Sequence, residues 1–76
     1  MPHVTVKLLP GRSEQRKRGL AEDITRAVMT RLGVGADTVS VRLEEVVASD
    51  WTERVYRPDI VHGAGRLYKE PGYGPS

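Results

Sequence analysis

Two short stretches in which apolar and polar residues alternate, with one amphipathic helical stretch between them, leave this chain few folds to choose from. From His3 to Leu9, Val4, Val6 and Leu8 fall on one face and Thr5 and Lys7 on the other, the period of a half-buried strand. Pro10-Gly11 ends it with a turn. Ser13 then offers an N-cap hydroxyl and Glu14 a negative charge in the first turn. Leu20, Ile24, Ala27, Val28 and Leu32 recur at helical spacing, and Gly33 follows as the residue that stops the helix. After the loop from Gly33 to Asp37, the pattern predicts a second strand from about Thr38 to Val47. Val39, Val41 and Leu43 lie on one face of it, with Ser40, Arg42 and Glu44 on the other. Strand, helix and strand joined by so long a crossover read as a right-handed βαβ unit with parallel strands, an α/β fold. Two parallel strands and one helix cannot close a core, so the free edge and second face call for another copy of the chain.

Length supports the same conclusion. With 76 residues this is one domain, 1–76, and a chain so short buries only about 60% of its unfolded surface, so oligomerisation is a natural source of extra core. The βαβ core is expected over about 2–47, with a C-terminal extension over about 50–73. There a short second helix is predicted from about Trp51 to Arg57, continuing past Pro58 with a kink or ending there. Asp50 and Glu53 have capping-box spacing at its start. Gly63 and Gly65 break any helix, Leu67-Tyr68-Lys69 adds a helical turn or a strand, and Gly74-Pro75-Ser76 are expected to be loose. There is no cysteine, which excludes disulfides and thiolate metal sites and suits a reducing cytosol. No apolar run reaches membrane-spanning length and no signal-peptide pattern opens the chain, so a cytoplasmic protein without a membrane partner is expected. The net charge of +2 favours anionic partners only weakly.

The first three residues, Met1-Pro2-His3, carry the most chemistry. An initiator Met is trimmed when the next residue is small, and trimming here leaves Pro2 as a free secondary amine at the start of a strand. Near cationic groups and away from water such an amine loses basicity, since both effects disfavour its protonated form. An ordinary α-amino group titrates near ~8, so a modest fall leaves it neutral and able to act as a general base at pH 7. A retained Met1 would make Pro2 a tertiary amide with no basicity. By itself, Met-Pro is also a common start with no chemical role.

Arg12 stands at the mouth of the first helix, where a guanidinium and free backbone N–H groups suit a carboxylate; taken alone, it reads first as one of a solvated cluster with Arg16, Lys17 and Arg18. Arg42, mid-strand on the face opposite Val41 and Leu43, is either exposed or lines an intersubunit site. Trp51, the single tryptophan, serves as a core anchor or as the wall of a site. His3 and His62 are not spaced as metal ligands and read as ordinary histidines. Glu44 and Glu45 point to opposite faces and are not a paired-carboxylate site. No phosphate-binding loop, dinucleotide fingerprint, zinc-protease motif or nucleophile elbow is present.

Taken together, Met1-Pro2-His3-Val4, the Gly11-Arg12-Ser13 turn and the run Val39-Ser40-Val41-Arg42-Leu43-Glu44-Glu45-Val46 followed by Asp50-Trp51 resemble the 4-oxalocrotonate tautomerase family over roughly the first two-thirds of the chain. The resemblance implies the βαβ unit, two copies joined into a four-stranded sheet backed by two helices, and an amino-terminal proline as catalytic base, here Pro2. It implies that Arg12 and Arg42 handle the carboxylate and carbonyl oxygens of the substrate and that Trp51 walls the pocket. Neither cofactor nor metal is implied. The departure lies at the C-terminal end, where Thr52-Glu53-Arg54-Val55-Tyr56 replaces the glycine-rich hairpin of hexameric members. The chain then runs on to Lys69-Glu70-Pro71-Gly72-Tyr73, a pattern like that of the dimeric subgroup. A homodimer is therefore expected, and in a dimer the surface that would bring Arg42 to the site differs.

The expected reaction is a keto–enol tautomerisation of a small 2-oxo acid or its enol. The same residues also permit hydration or dehalogenation of unsaturated acids with a prolyl ammonium as acid, although no additional carboxylate is clearly positioned to activate water. A non-catalytic dimeric module binding an anionic ligand is the remaining alternative. Nucleic acid is not expected as a partner, because no aromatic-rich strand face is available for stacking bases and the net charge is small.

Overall fold

In the computed structural model, which describes residues 1–75, strand β1 spans His3–Leu8, helix α1 spans Glu14–Leu32 and strand β2 spans Ser40–Glu45. The strands pair in parallel, with His3 opposite Ser40 and Leu8 opposite Glu45 at the two ends of the ladder. Strand, helix and parallel strand make the βαβ unit that the alternation predicted, contained in residues 1–45; a second unit begins at Val46.

The helix starts and stops where its local chemistry dictates. Ser13 is extended, and its Oγ accepts the Arg16 N–H at 3.1 Å, satisfying one of the backbone donors that a helix start leaves free. Gly33 takes a left-handed conformation with φ 66°, and its N–H donates to the Met29 carbonyl at 2.9 Å. A side chain at that φ would be strained, which is why glycine ends the helix here. Strand β2 is shorter than predicted at both ends. Thr38 belongs instead to a 3₁₀ turn, Ala36–Thr38, in which its N–H and its hydroxyl both donate to the Gly35 carbonyl. At the far end β2 stops at Glu45, the partner of the last residue of β1, because beyond it no ladder continues.

One face of α1 lies over the Val41 and Leu43 face of β2. Ala21, Thr25 and Met29 share a groove with Val41, and Lys17 and Ala21 share another with Leu43 and Glu45. A two-stranded sheet is narrow, with strands only about 4.8 Å apart, and covers only part of the helix. Ile24 and Val28 are half-buried, Leu20 remains 39% exposed and Leu32 62% exposed. No side chain in residues 1–45 is fully buried; the two buried side chains of the described residues, Val46 and Val55, belong to the second unit. An ionic clasp ties α1 to β2, with the Lys17 Nζ 3.2 Å from Glu14 and 3.4 Å from Glu45.

The second unit departs further from expectation. A 3₁₀ turn, Ala48–Asp50, runs into a π-helix over Thr52–Val61 that passes through Pro58. Its wide register is visible in the His62 N–H donating to the Arg57 carbonyl, five residues back, at 3.0 Å. In an α-helix the Pro58 ring would collide with the carbonyl four residues earlier, and the wider coil relieves that clash. The predicted capping box does not form: no side chain caps the helix at Trp51, and Glu53 pairs instead with Arg57 on the following turn. Gly63 follows the helix where an added Cβ would strike the Asp59 carbonyl. Leu67-Tyr68-Lys69 forms neither helix nor strand, and Arg66 lies 5.3 Å from the Tyr68 ring. Gly74 and Pro75 have no regular structure, and Ser76 lies outside the described residues.

Candidate active site

The parallel register sorts the sheet into two chemically distinct faces. Val4, Val6 and Leu8 share the helix side with Val41 and Leu43, whereas His3, Thr5 and Lys7 share the other side with Ser40, Arg42 and Glu44. Pro2 immediately precedes this ladder. It is half-buried, and its carbonyl accepts the Ser40 N–H at 3.2 Å, so the pairing of the strands extends to it. Met1 before it is fully exposed.

A polar network begins at the next residue. The His3 Nδ1 lies 2.6 Å from the Ser40 Oγ and its Nε2 lies 3.2 Å from the Thr5 Oγ1. A neutral imidazole has one donor and one acceptor nitrogen, so one hydroxyl accepts from the ring and the other donates to it. The spacing of His3 predicts an ordinary histidine, and its ring braces the first pair of the ladder. Nothing in the sequence marks Ser40 for this role, because a serine on the solvent side of a strand carries no signal of its own. The register that sets it beside Pro2 arises only when two segments far apart in the chain pair.

Arg42 stands opposite Thr5 on the polar face and is exposed in the single chain. Arg12 is also exposed, its Nη1 3.5 Å from the Leu9 carbonyl. Pro2 and Arg12 lie at opposite ends of β1. The strand between them alone is about 20 Å long at the usual rise per residue, further than an arginine side chain spans. One copy of the chain thus brings Pro2 and Arg42 onto one sheet but not Pro2 and Arg12. The grooves between α1 and β2 are lined by Glu14, Lys17, Ala21, Met29 and their neighbours and include none of these three residues.

At the helix start Lys17 lies between Glu14 and Glu45. Its hydrogen bond to Glu14, with the attraction of the ammonium, holds the Glu14 carboxyl below its ordinary value. The same hydrogen bond, reinforced by Glu45, raises Lys17 above its own.

Trp51 belongs to the second unit, just ahead of the π-helix, and is half-buried. Its Nε1–H donates to the Tyr73 hydroxyl at 2.8 Å, and the Tyr73 ring packs against Tyr56 at 5.8 Å between centroids with a 46° tilt. The Pro71-Gly72 turn was the one available sign that the chain could return at Tyr73. Among the described residues no group of three or more His, Asp or Glu side chains could hold a metal ion, and no helix is long and apolar enough to cross a membrane.

Residues 2–53 match the model of a family described as tautomerase enzymes. A probable tautomerase of Xylella fastidiosa is 45% identical over 74 residues, covering 97% of this chain and 90% of its own length. Tautomerase PptA of Pectobacterium carotovorum is 36% identical, covering 96% of this chain and 97% of its own. Both alignments extend well past residue 53, so the C-terminal extension has counterparts in these proteins. Among solved structures, the tomaymycin-pathway 4-oxalocrotonate tautomerase homologue TomN aligns with a TM-score of 0.64 at 38% identity, over 66% of this chain and 77% of its own. The homologue YwhB aligns with a TM-score of 0.59 at 41% identity, over 60% and 75%.

Proposed function

The chain belongs to the 4-oxalocrotonate tautomerase family, a family of isomerase-type enzymes, and from that premise we propose that it is a cofactor-independent keto–enol tautomerase of small 2-oxo acids with Pro2 as general base. The observation that carries this reading is the Ser40 N–H on the Pro2 carbonyl at 3.2 Å. It fixes the residue behind the nitrogen, so that an amine freed at Pro2 has a defined position with no side-chain rotor of its own. Met1 is fully exposed, so an aminopeptidase meets no steric obstacle to removing it.

In the reaction, neutral Pro2 takes the proton of the enol hydroxyl and a proton is returned to the α-carbon. The carbon–carbon double bond becomes single and the carbon–oxygen bond becomes a carbonyl, with no change in composition. Arg12 holds the substrate carboxylate through paired N–H donors; Arg42, on the same sheet as Pro2 within one copy, is the cation assigned to the oxygen on which charge develops, a role that then needs no surface beyond the dimer. The family resemblance assigns Trp51 to the pocket wall as well, a role in which an indole limits water and strengthens charge interactions.

The active unit is a homodimer in which the β1 edges of two copies pair antiparallel into a four-stranded sheet. That arrangement sets the Pro2 end of one strand beside the Arg12 end of the other, which a single copy cannot do. It also supplies partner surface for the exposed Leu20 and Leu32 and gives residues 1–45 the core that they lack alone.

The test is ketonisation of an aryl enolpyruvate by Met1-trimmed protein beside Pro2→Ala. Loss of a positioned general base lowers kcat by about 100-fold or more. Equal rates in the two proteins, with the fold of each retained, would remove Pro2 from the mechanism and leave a ligand-binding module.

A further inference from the structure

We propose that Lys17 is a positioning residue for the reaction: by engaging the Glu14 carboxylate it keeps the Arg12 guanidinium available to the carboxylate of the substrate. The inference rests on the reading of Arg12 as the residue that binds that carboxylate, and it involves only side chains of residues 1–45, one compact unit. Arg12 and Glu14 flank Ser13, whose backbone is extended, the conformation that turns the side chains on either side of a residue toward one face. A glutamate so placed is a ready partner for the arginine. If it took the guanidinium, it would occupy the paired N–H donors that a substrate carboxylate needs. The structure shows a different pairing. Glu14 meets the Lys17 Nζ at 3.2 Å. Arg12 forms no ion pair among the described residues, and its one hydrogen bond there is to the Leu9 carbonyl at 3.5 Å.

Lys17 is well placed to hold that glutamate. Its side chain is only 21% exposed, against 78% for Arg18, the other cation on Glu14, at 3.5 Å. A second carboxylate, Glu45 at the end of β2, lies 3.4 Å from the same Nζ, so the ammonium is fixed from the sheet as well as from its own helix. Glu45 is also the register partner of Leu8. The connection that carries Arg12 therefore begins at the strand paired with Glu45 and ends at the helix that bears Lys17. The hydrogen bond from Lys17 is the largest influence holding the Glu14 carboxyl below its ordinary value. Without the ammonium, Glu14 is left with the exposed Arg18 and competes for Arg12. The consequence is weaker binding of the substrate carboxylate and little change in the proton transfer assigned to Pro2.

The experiment uses the full Met1-trimmed protein as wild type, Lys17→Met, Lys17→Arg, Glu14→Gln, the double variant Lys17→Met/Glu14→Gln, Arg12→Ala and Pro2→Ala. Circular dichroism and thermal melting verify that each folds. Lys17→Met keeps an aliphatic stem in the groove beside Ala21 and Leu43 and removes the charge; Lys17→Gln takes its place if that variant does not fold. The expected result in ketonisation of an aryl enolpyruvate is a KM raised about threefold in Lys17→Met, the weight of one surface ion pair, with a smaller change in kcat. Lys17→Arg and Glu14→Gln should keep the wild-type KM, and adding Glu14→Gln to Lys17→Met should restore it. An unmoved KM in Lys17→Met would overturn the proposal. A raised KM that persists in the double variant would also overturn it, because Lys17 would then act by bracing the helix and not by occupying Glu14. A wild-type rate in Arg12→Ala or Pro2→Ala would instead sink the tautomerase reading and the role of Lys17 with it. Loss of rate in both, alongside an unmoved KM in Lys17→Met, would remove the role of Lys17 alone.

Discussion

The hydroxyl of Ser40 lies 2.6 Å from the Nδ1 of His3, while the N–H of the same serine binds the Pro2 carbonyl at 3.2 Å. One residue of β2 thus grips two successive residues at the amino terminus, one through its side chain and one through its backbone. Ser40→Ala leaves the backbone bond and removes the other. Because the pair is exposed, the expected loss of stability is small, about 0.5 kcal/mol, at the low end for a single hydrogen bond. The expected loss of activity is larger in proportion, since the proposed base sits on the segment that loosens. Urea denaturation and ketonisation kinetics on the same samples test this. A stability loss with kcat unchanged would mean that the backbone bond alone holds Pro2.

Separation of Pro2 and Arg12 along β1 leads to a complementation experiment. Pro2→Ala and Arg12→Ala should each be inactive as pure dimers. When the two are unfolded together and refolded, half of the dimers are mixed, and each mixed dimer regains one intact site from complementary copies. Recovered activity should approach about a quarter of wild type for a two-fold assembly with shared sites. If the mixture stays as inactive as its components, each site draws both residues from one copy, and the proposed strand pairing is wrong.

Lys17 makes stability depend on pH at both ends of the range. Glu14 titrates below its ordinary 4.5 in the folded protein because Lys17 hydrogen-bonds and attracts its charged form. Its contribution is therefore present above 4.5 and lost as pH falls through the lowered value. Lys17 titrates above its ordinary 10.5, chiefly through its hydrogen bond to Glu14, so its contribution is present below 10.5 and lost as pH rises through the raised value. Lys17→Gln should flatten both limbs of a plot of melting temperature against pH. High salt should produce part of the same flattening in the wild type, because the groups are exposed to screening. A pH profile identical in wild type and variant would show that the clasp contributes nothing to stability.

Much of this protein was legible in its residues. The alternation around Val4 and Val6, the hydroxyl of Ser13, the helical spacing of Ile24 and Val28 and the glycine at position 33 each act within a few residues. Their outcome follows from local geometry and hydrogen bonding. The order of Pro2, Arg12, Arg42 and Trp51 was enough to point to the family. Local signals misjudged the ends of β2, because Thr38 had a competing acceptor in Gly35 and because Glu45 is the last residue that β1 can pair. They also misjudged the segment after Asp50, where a capping box was available but Glu53 found Arg57 instead.

What tertiary structure alone decided is which distant groups meet. Pairing His3 with Ser40 is a choice of register between segments 37 residues apart, one that also sets Val4 beside Val41 and Val6 beside Leu43. A slip of one residue would have turned every side chain to the opposite face. The meeting of Trp51 with Tyr73 likewise depends on the path of a stretch without regular structure. Neither partner carries a mark of the other in the sequence, because a hydrogen bond across such a distance is specified by the folding of everything between its ends.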